Sequence, residues 1–163
     1  MHMKNIIPYI RNACMFILLF WGGAVMSASI HITIQTKNQN TVYPPYYAIY
    51  VVDDKRRFVK TLHVMGQNYT YQRNMRDWFR NAIRHSEDID ALSGATLKNG
   101  ATFKKSVFID NSYILNKYTL IITSTSRQHG YHRQEIVIPL FPGNKQHTVH
   151  GKNHIKFATV RIK

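Results

Sequence analysis

YYAIYVVDDKRRFVKTLHVM, residues 46 to 65, decides the fold. Two runs rich in β-branched and aromatic side chains, YYAIYVV (46 to 52) and FVKTLHVM (58 to 65), flank the charged DDKRR, which is the pattern of two strands joined as a hairpin. Upstream, Ile30, Ile32 and Ile34 alternate with His31, Thr33 and Gln35, the period of a strand with one face buried and one wet. Pro44 and Pro45 mark the end of the loop between these segments. Downstream of the hairpin the period changes. In NMRDWFRNAIRHS, Met75, Trp78, Phe79, Ala82 and Ile83 recur at the spacing of one apolar helical stripe, and Arg73, Arg76, Arg80 and Arg84 occupy the other face. The stripe is expected to face the core of a sandwich, and the arginines water.

Four further segments, TFKKSVFID (102 to 110), KYTLIITSTSR (117 to 127), RQEIVIPLF (133 to 141) and HIKFATVRI (154 to 162), are short, β-prone and separated by Asn, Gly or Pro. About seven short strands with one helical insert predict a mainly β chain. The expected fold is an immunoglobulin-like antiparallel β-sandwich, with one short amphipathic helix inserted between its third and fourth strands.

A chain of 163 residues with 44% hydrophobic content is long enough for one domain with a real core. Its start reads differently. Lys4 and Arg11 precede the apolar run CMFILLFWGGAVM, which ends at Ser27-Ala28-Ser29 and falls short of the ~20 residues of a spanning helix. Residues 1–28 therefore read as a cleaved secretory signal, and residues 29–163 as an exported, periplasmic domain. Cys14 opens the apolar run instead of closing it, which argues against a lipoprotein. Loss of the leader removes the single cysteine, and with it any disulfide, thiolate nucleophile or cysteine-ligated metal. Loss of Lys4 and Arg11 lowers the formal charge from +14 to +12. In the cytosol such a charge points to nucleic acid. In an exported protein it points to anionic small molecules, phosphate-bearing cofactors or acidic surfaces. A monomer with no nucleic-acid partner is expected.

The loop that leaves the helix, DIDALSGATLKNG (88 to 100), carries the strongest signal for chemistry. Asp90-Ala91-Leu92-Ser93-Gly94-Ala95-Thr96 resembles the flavinylation motif of the FMN-binding domains of sodium-pumping quinone reductase, in which Asp, a small pair, Ala and Thr recur at this spacing. The resemblance implies an FAD:protein FMN transferase as partner and covalent FMN on Thr96, with Asp90, Ser93, Gly94 and Ala95 completing the cofactor-binding motif. A phosphoester needs a hydroxyl on an accessible loop, and Ser93-Gly94-Ala95 adds little bulk. Lys98, Lys104 and Lys105 are candidates to balance the phosphate, and Tyr69, Tyr71, Trp78 and Tyr131 to stack on the flavin ring.

From the hairpin through Trp78-Phe79 and DALSGAT to YTLIITSTSRQHG, the chain also resembles a bacterial family of periplasmic proteins, domain of unknown function 2271. That resemblance implies an immunoglobulin-like sandwich, export and association with a membrane-bound haem reductase of the PepSY type. The implied function is an electron carrier, not a catalyst. The alternative is a cofactor-free extracytoplasmic binding module for an acidic ligand or protein partner.

Histidine supplies a weaker signal. His147, His150 and His154 have spacing compatible with metal or haem binding, as do His129 and His132. The first three fall in a Gly/Asn/Lys-rich loop without nearby acidic residues, and there is no CxxCH, so no metal site is expected. Hydrolase, zinc-protease and nucleotide-binding motifs are absent from the sequence.

Overall fold

The isoleucines of the first strand point inward as their alternation requires, with Ile30 and Ile34 fully buried and Ile32 nearly so. The computed structural model describes residues 27–143 and 145–163; most of the expected leader, residues 1–26, lies outside the described residues. Strand β1 (Ser27–Thr36) begins at the leader's expected end, and Ser27 and Ala28 already pair with Asp110 and Ile109. The hairpin has the strand bounds read from the sequence, β2 (Tyr46–Val52) and β3 (Phe58–Met65). Its DDKRR turn is organised by Asp53, whose Oδ1 accepts the backbone N–H groups of Lys55 and Arg57 at 2.9 and 2.8 Å. The chain continues through short helices α1 (Tyr69–Gln72), α2 (Arg76–Arg84) and α3 (Ile89–Leu92) into β4 (Ser93–Gly94). Then come β5 (Thr102–Asp110), α4 (Ser112–Leu115), β6 (Thr119–Ser126), β7 (Gly130–Pro139), β8 (Gln146–His150) and β9 (Ile155–Ile162).

Two sheets result, one ordered β5-β1-β9-β8 and the other β4-β3-β2-β6-β7. The pairings are antiparallel except that β4 runs parallel to the end of β3. The sandwich core lies between the sheets, where Ile30, Ile32 and Ile34 meet Tyr47, Ile49, Val51, Leu120 and Ile122. This is the mainly β, two-sheet architecture expected from the sequence.

Helix α2 differs from expectation in what it covers. It does not face the space between the sheets: Met75, Trp78 and Ala82 form a second core with Ala48, Tyr50, Val52, Val64 and Ile121 on the outer face of the five-stranded sheet. β2 is consequently buried on both faces, which explains why its sequence is continuously apolar instead of alternating. Ile83 does not join this contact and is 50% exposed, because Ala82 and Trp78 already span the narrow face that meets the sheet. Among the described residues no helix is long and apolar enough to cross a membrane.

Candidate functional site

A buried glutamine organises the SGAT loop. Gln72, at the end of α1, donates from Nε2 to the carbonyl of Gly66 at 2.7 Å and to Ser93 Oγ at 3.1 Å. Ser93 Oγ in turn donates to the carbonyl of Ile89 at 2.7 Å, closing the single turn of α3, whose start is capped by Asp88 Oδ1 accepting the Ala91 N–H at 3.1 Å. Ser93 and Gly94 then pair with Val64 and Met65 at the end of β3. Ser93 and Gly94 are therefore held to the sheet, while Ala95 and Asp90 are exposed and Thr96 is half-buried.

Gly94 passes close to His63. A Cβ there would stand 3.2 Å from His63 Cε1 and 3.3 Å from Nε2. The imidazole stacks on Phe103 with centroids 5.2 Å apart, and its Nδ1 lies 3.1 Å from Lys105 Nζ. Burial, and then the Lys105 charge, push the His63 pKa below its usual value, so the ring is neutral and free to accept from that ammonium.

Thr96 forms part of the wall of a cavity of about 100 Å³, together with Tyr43, Tyr46, Tyr71 and Arg127. A neighbouring cavity of about 290 Å³ shares Tyr71 and Arg127 and adds Arg76 and Tyr131. The rings of Tyr46 and Tyr71 lie 5.3 Å apart, and the Arg127 guanidinium sits 5.1 Å from the centre of the Tyr43 ring. Burial, and then Tyr71, raise the Tyr46 pKa, so this wall stays phenolic. The surroundings of Thr96 are thus aromatic and cationic.

Only some of the residues named from the sequence meet there. Tyr71 and Tyr131 line the cavities, and Lys105 reaches the loop through His63. Trp78 is fully buried and donates its N–H to Thr61 Oγ1 at 2.8 Å, which removes it as a stacking partner. Tyr69 packs edge-on against Phe79 at 5.0 Å and lines neither cavity. Lys104 lies on the other sheet, paired with Thr33. Tyr43, Tyr46 and Arg127 were not anticipated as neighbours of Thr96. The β2–β6 pairing, which sets Tyr46 opposite Thr125, brings them together, and no local spacing announces it.

The histidines regroup as well. His154 is 1% exposed, with Nδ1 2.9 Å from Ser124 Oγ and Nε2 3.0 Å from Ser126 Oγ. The rings of His132 and His129 lie 4.9 and 5.8 Å from it. Both nitrogens of His154 are engaged by hydroxyls, and among the described residues no group of three His, Cys, Asp or Glu has the geometry to hold a metal ion. His147 and His150 belong to β8 and not to a loop.

The model of one family, described as predicted periplasmic protein (DUF2271), matches residues 27–157. The chain belongs to that family. The match runs from the first residue of β1 into β9, so this DUF2271 domain includes both the SGAT loop and the Tyr43/Arg127 wall. The description agrees with a periplasmic location and names no activity. No curated protein and no solved structure matches the chain.

Proposed function

We propose that this DUF2271 protein is a periplasmic electron carrier that holds FMN covalently, through a phosphoester to Thr96. The observation that supports the reading is the neighbourhood of Thr96: a half-buried hydroxyl beside the rings of Tyr43, Tyr46 and Tyr71, with the Arg127 guanidinium against one of them. The chemistry of those residues suits the group, and the cavity of about 100 Å³ beside Thr96 takes only part of it. A planar, electron-poor ring system favours stacking on aromatic faces, and the phosphate end favours a cationic wall. Gly94 and Ala95 add little bulk beside Thr96, and exposed Asp90 is available for recognition by a transferase. When bound, FMN supplies the redox chemistry.

The chain's own part is to offer an oxygen and to hold what is attached. Thr96 provides the hydroxyl that an FAD:protein FMN transferase esterifies, with AMP as the leaving group. Tyr46 and Tyr71 line one side of the Thr96 cavity, and Arg127 and Arg76 raise the local positive potential. The electron partner in this reading is a membrane-bound haem reductase of the PepSY type, and the carrier breaks and forms no substrate bonds itself.

Co-expression with an FAD:protein FMN transferase in the periplasm tests the reading. The expected product keeps its yellow fluorescence through denaturing electrophoresis, because an ester bond survives unfolding. A colourless wild-type product, beside a transferase shown to label another substrate, would overturn it in favour of the cofactor-free binding module.

A further inference from the structure

The outer face of the sheet β5-β1-β9-β8 plays no part in the chemistry proposed at Thr96, which lies against the other sheet. It nevertheless carries a cavity of about 450 Å³ whose charged walls are Lys104, Arg161 and Lys163, with His31 beside them. The strand period puts them there. With Ile30, Ile32 and Ile34 turned inward, β1 turns His31 and Thr33 outward; Arg161 pairs with His31 on one side and Lys104 with Thr33 on the other. Lys104 and Arg161 therefore flank β1 two strand spacings apart and two residues out of step, roughly 12 Å between backbones.

No Asp or Glu side chain lines this cavity. Among the described residues, Lys104, Arg161 and Lys163 form no ion pair; the pairs that lysine or arginine makes are Arg57 with Asp53 and Arg133 with Asp77. The Arg161 guanidinium is held by a neutral group: Gln146 Oε1 accepts from its Nε at 3.2 Å and from its Nη2 at 2.8 Å. That contact orients the fork and commits the Gln146 oxygen, which leaves the amide NH2 as a donor to the cavity. Thr33 adds a hydroxyl, and Thr159 a second one that is shared with Thr148 Oγ1 at 2.8 Å. Like charges gathered in a concavity repel one another, and a bound anion relieves that repulsion.

The shape and the donor count narrow the occupant. A flat bilayer surface does not enter a concavity, whereas a discrete ligand does. The cations, hydroxyls and amide supply more donors than the two oxygens of a carboxylate accept; a phosphate group, with three strong acceptor oxygens, uses them more fully. We propose that this face of the four-stranded sheet binds a small phosphate-bearing ligand. The site requires no flavin, so it stands or falls separately from the reading of Thr96.

Isothermal titration calorimetry of the protein, made without a transferase, with inorganic tripolyphosphate as probe tests the site. Saturable one-site binding that weakens as salt rises is expected. The double variant Lys104→Gln/Arg161→Gln should weaken it by at least about tenfold, since it removes two of the three charge-assisted contacts. The variant Arg73→Gln/Arg80→Gln removes the same charge from the helical face and should leave binding unchanged. Circular dichroism melts of all proteins should coincide, as every substituted side chain is at the surface. Weak binding of citrate supports the phosphate assignment, and citrate binding as tight as tripolyphosphate overturns it. Absence of saturable binding, or equal loss in both double variants, overturns the site itself.

Discussion

The backbone N–H of Gly66 donates to the carbonyl of Gly94 at 2.8 Å, so the end of β3 and the SGAT loop are held at one point. Gly66 has φ of 111°, and a Cβ on it would lie 2.1 Å from Tyr46 Cδ1. Both conditions demand glycine. Gly66→Ala should destabilise the domain by about 2 kcal/mol or more, combining backbone strain with a clash that the Tyr46 ring must leave. Urea unfolding measures it. Adding Tyr46→Ala should relieve the clash while keeping the φ strain, so the Gly66→Ala penalty should be smaller on that background than in wild type.

Trp78 is the anchor of helix α2. Its indole N–H donates to Thr61 Oγ1 at 2.8 Å; that hydroxyl donates to Glu87, whose other oxygen accepts the Thr61 N–H at 2.7 Å. The helix and the segment after it are thereby tied to β3 by both packing and hydrogen bonding. Trp78→Ala should cost about 3 to 5 kcal/mol, as for other buried large aromatics. Trp78→Phe keeps part of the volume and loses the donor, so its cost should be nearer 1 to 3 kcal/mol, roughly that of an unmet buried polar group. A loss below about 1 kcal/mol for the alanine variant would contradict the burial.

His154 makes stability depend on pH. Burial lowers its pKa from 6.5 to about 4, followed by the effect of His132, His129 and Lys37 charges. Glu135 Oε2 lies 3.9 Å from Nδ1, but that carboxylate is already engaged by Ser124 and by the N–H groups of Asn153 and Ile155. The folded state therefore binds the proton less readily than the unfolded chain. Stability from this group is complete above pH ~6.5 and falls as pH drops toward ~4, by up to about 3 kcal/mol. His63, lowered by burial and then by Lys105, acts in the same direction. His154→Gln isolates the larger effect: its stability, measured by denaturant unfolding from pH 7 to 4, should decline less steeply than that of wild type.

The strands β2, β3 and β5 were legible to the residue, because their β-branched and aromatic runs are bounded by local turn chemistry. β8 was not. Its QHTVH has no fully buried residue, so it carries no apolar period, and it exists as a strand through its pairing with β9. Helix α2 was legible as a stripe, but a stripe does not say which surface it meets; the continuous apolar run of β2 was the sign that this sheet is covered on both faces. The same division holds at the site. Asp90 to Thr96 is a contiguous pattern that a reader meets in order, whereas Tyr43, Tyr46 and Arg127 reach Thr96 from distant segments by strand pairing.

Within the SGAT loop, the residues that build the fold and those expected to serve a transferase are separable. Ser93 is structural as well as part of the motif, since its hydroxyl closes α3 and accepts from Gln72. Ser93→Ala should cost about 1 kcal/mol or more, because the buried Gln72 amide then keeps only the Gly66 carbonyl. Asp90 and Thr96 make no such contribution. Asp90→Ala and Thr96→Ala should each change stability by less than about 0.5 kcal/mol. Their expected effect is on labelling in the periplasmic co-expression assay: none for Thr96→Ala, and weakened for Asp90→Ala if the transferase reads the whole motif. Thr96→Ser keeps the hydroxyl, so partial labelling is expected, reduced because the methyl no longer restricts the rotamer. Full labelling of Thr96→Ala would assign the ester to another hydroxyl and remove Thr96 from the site.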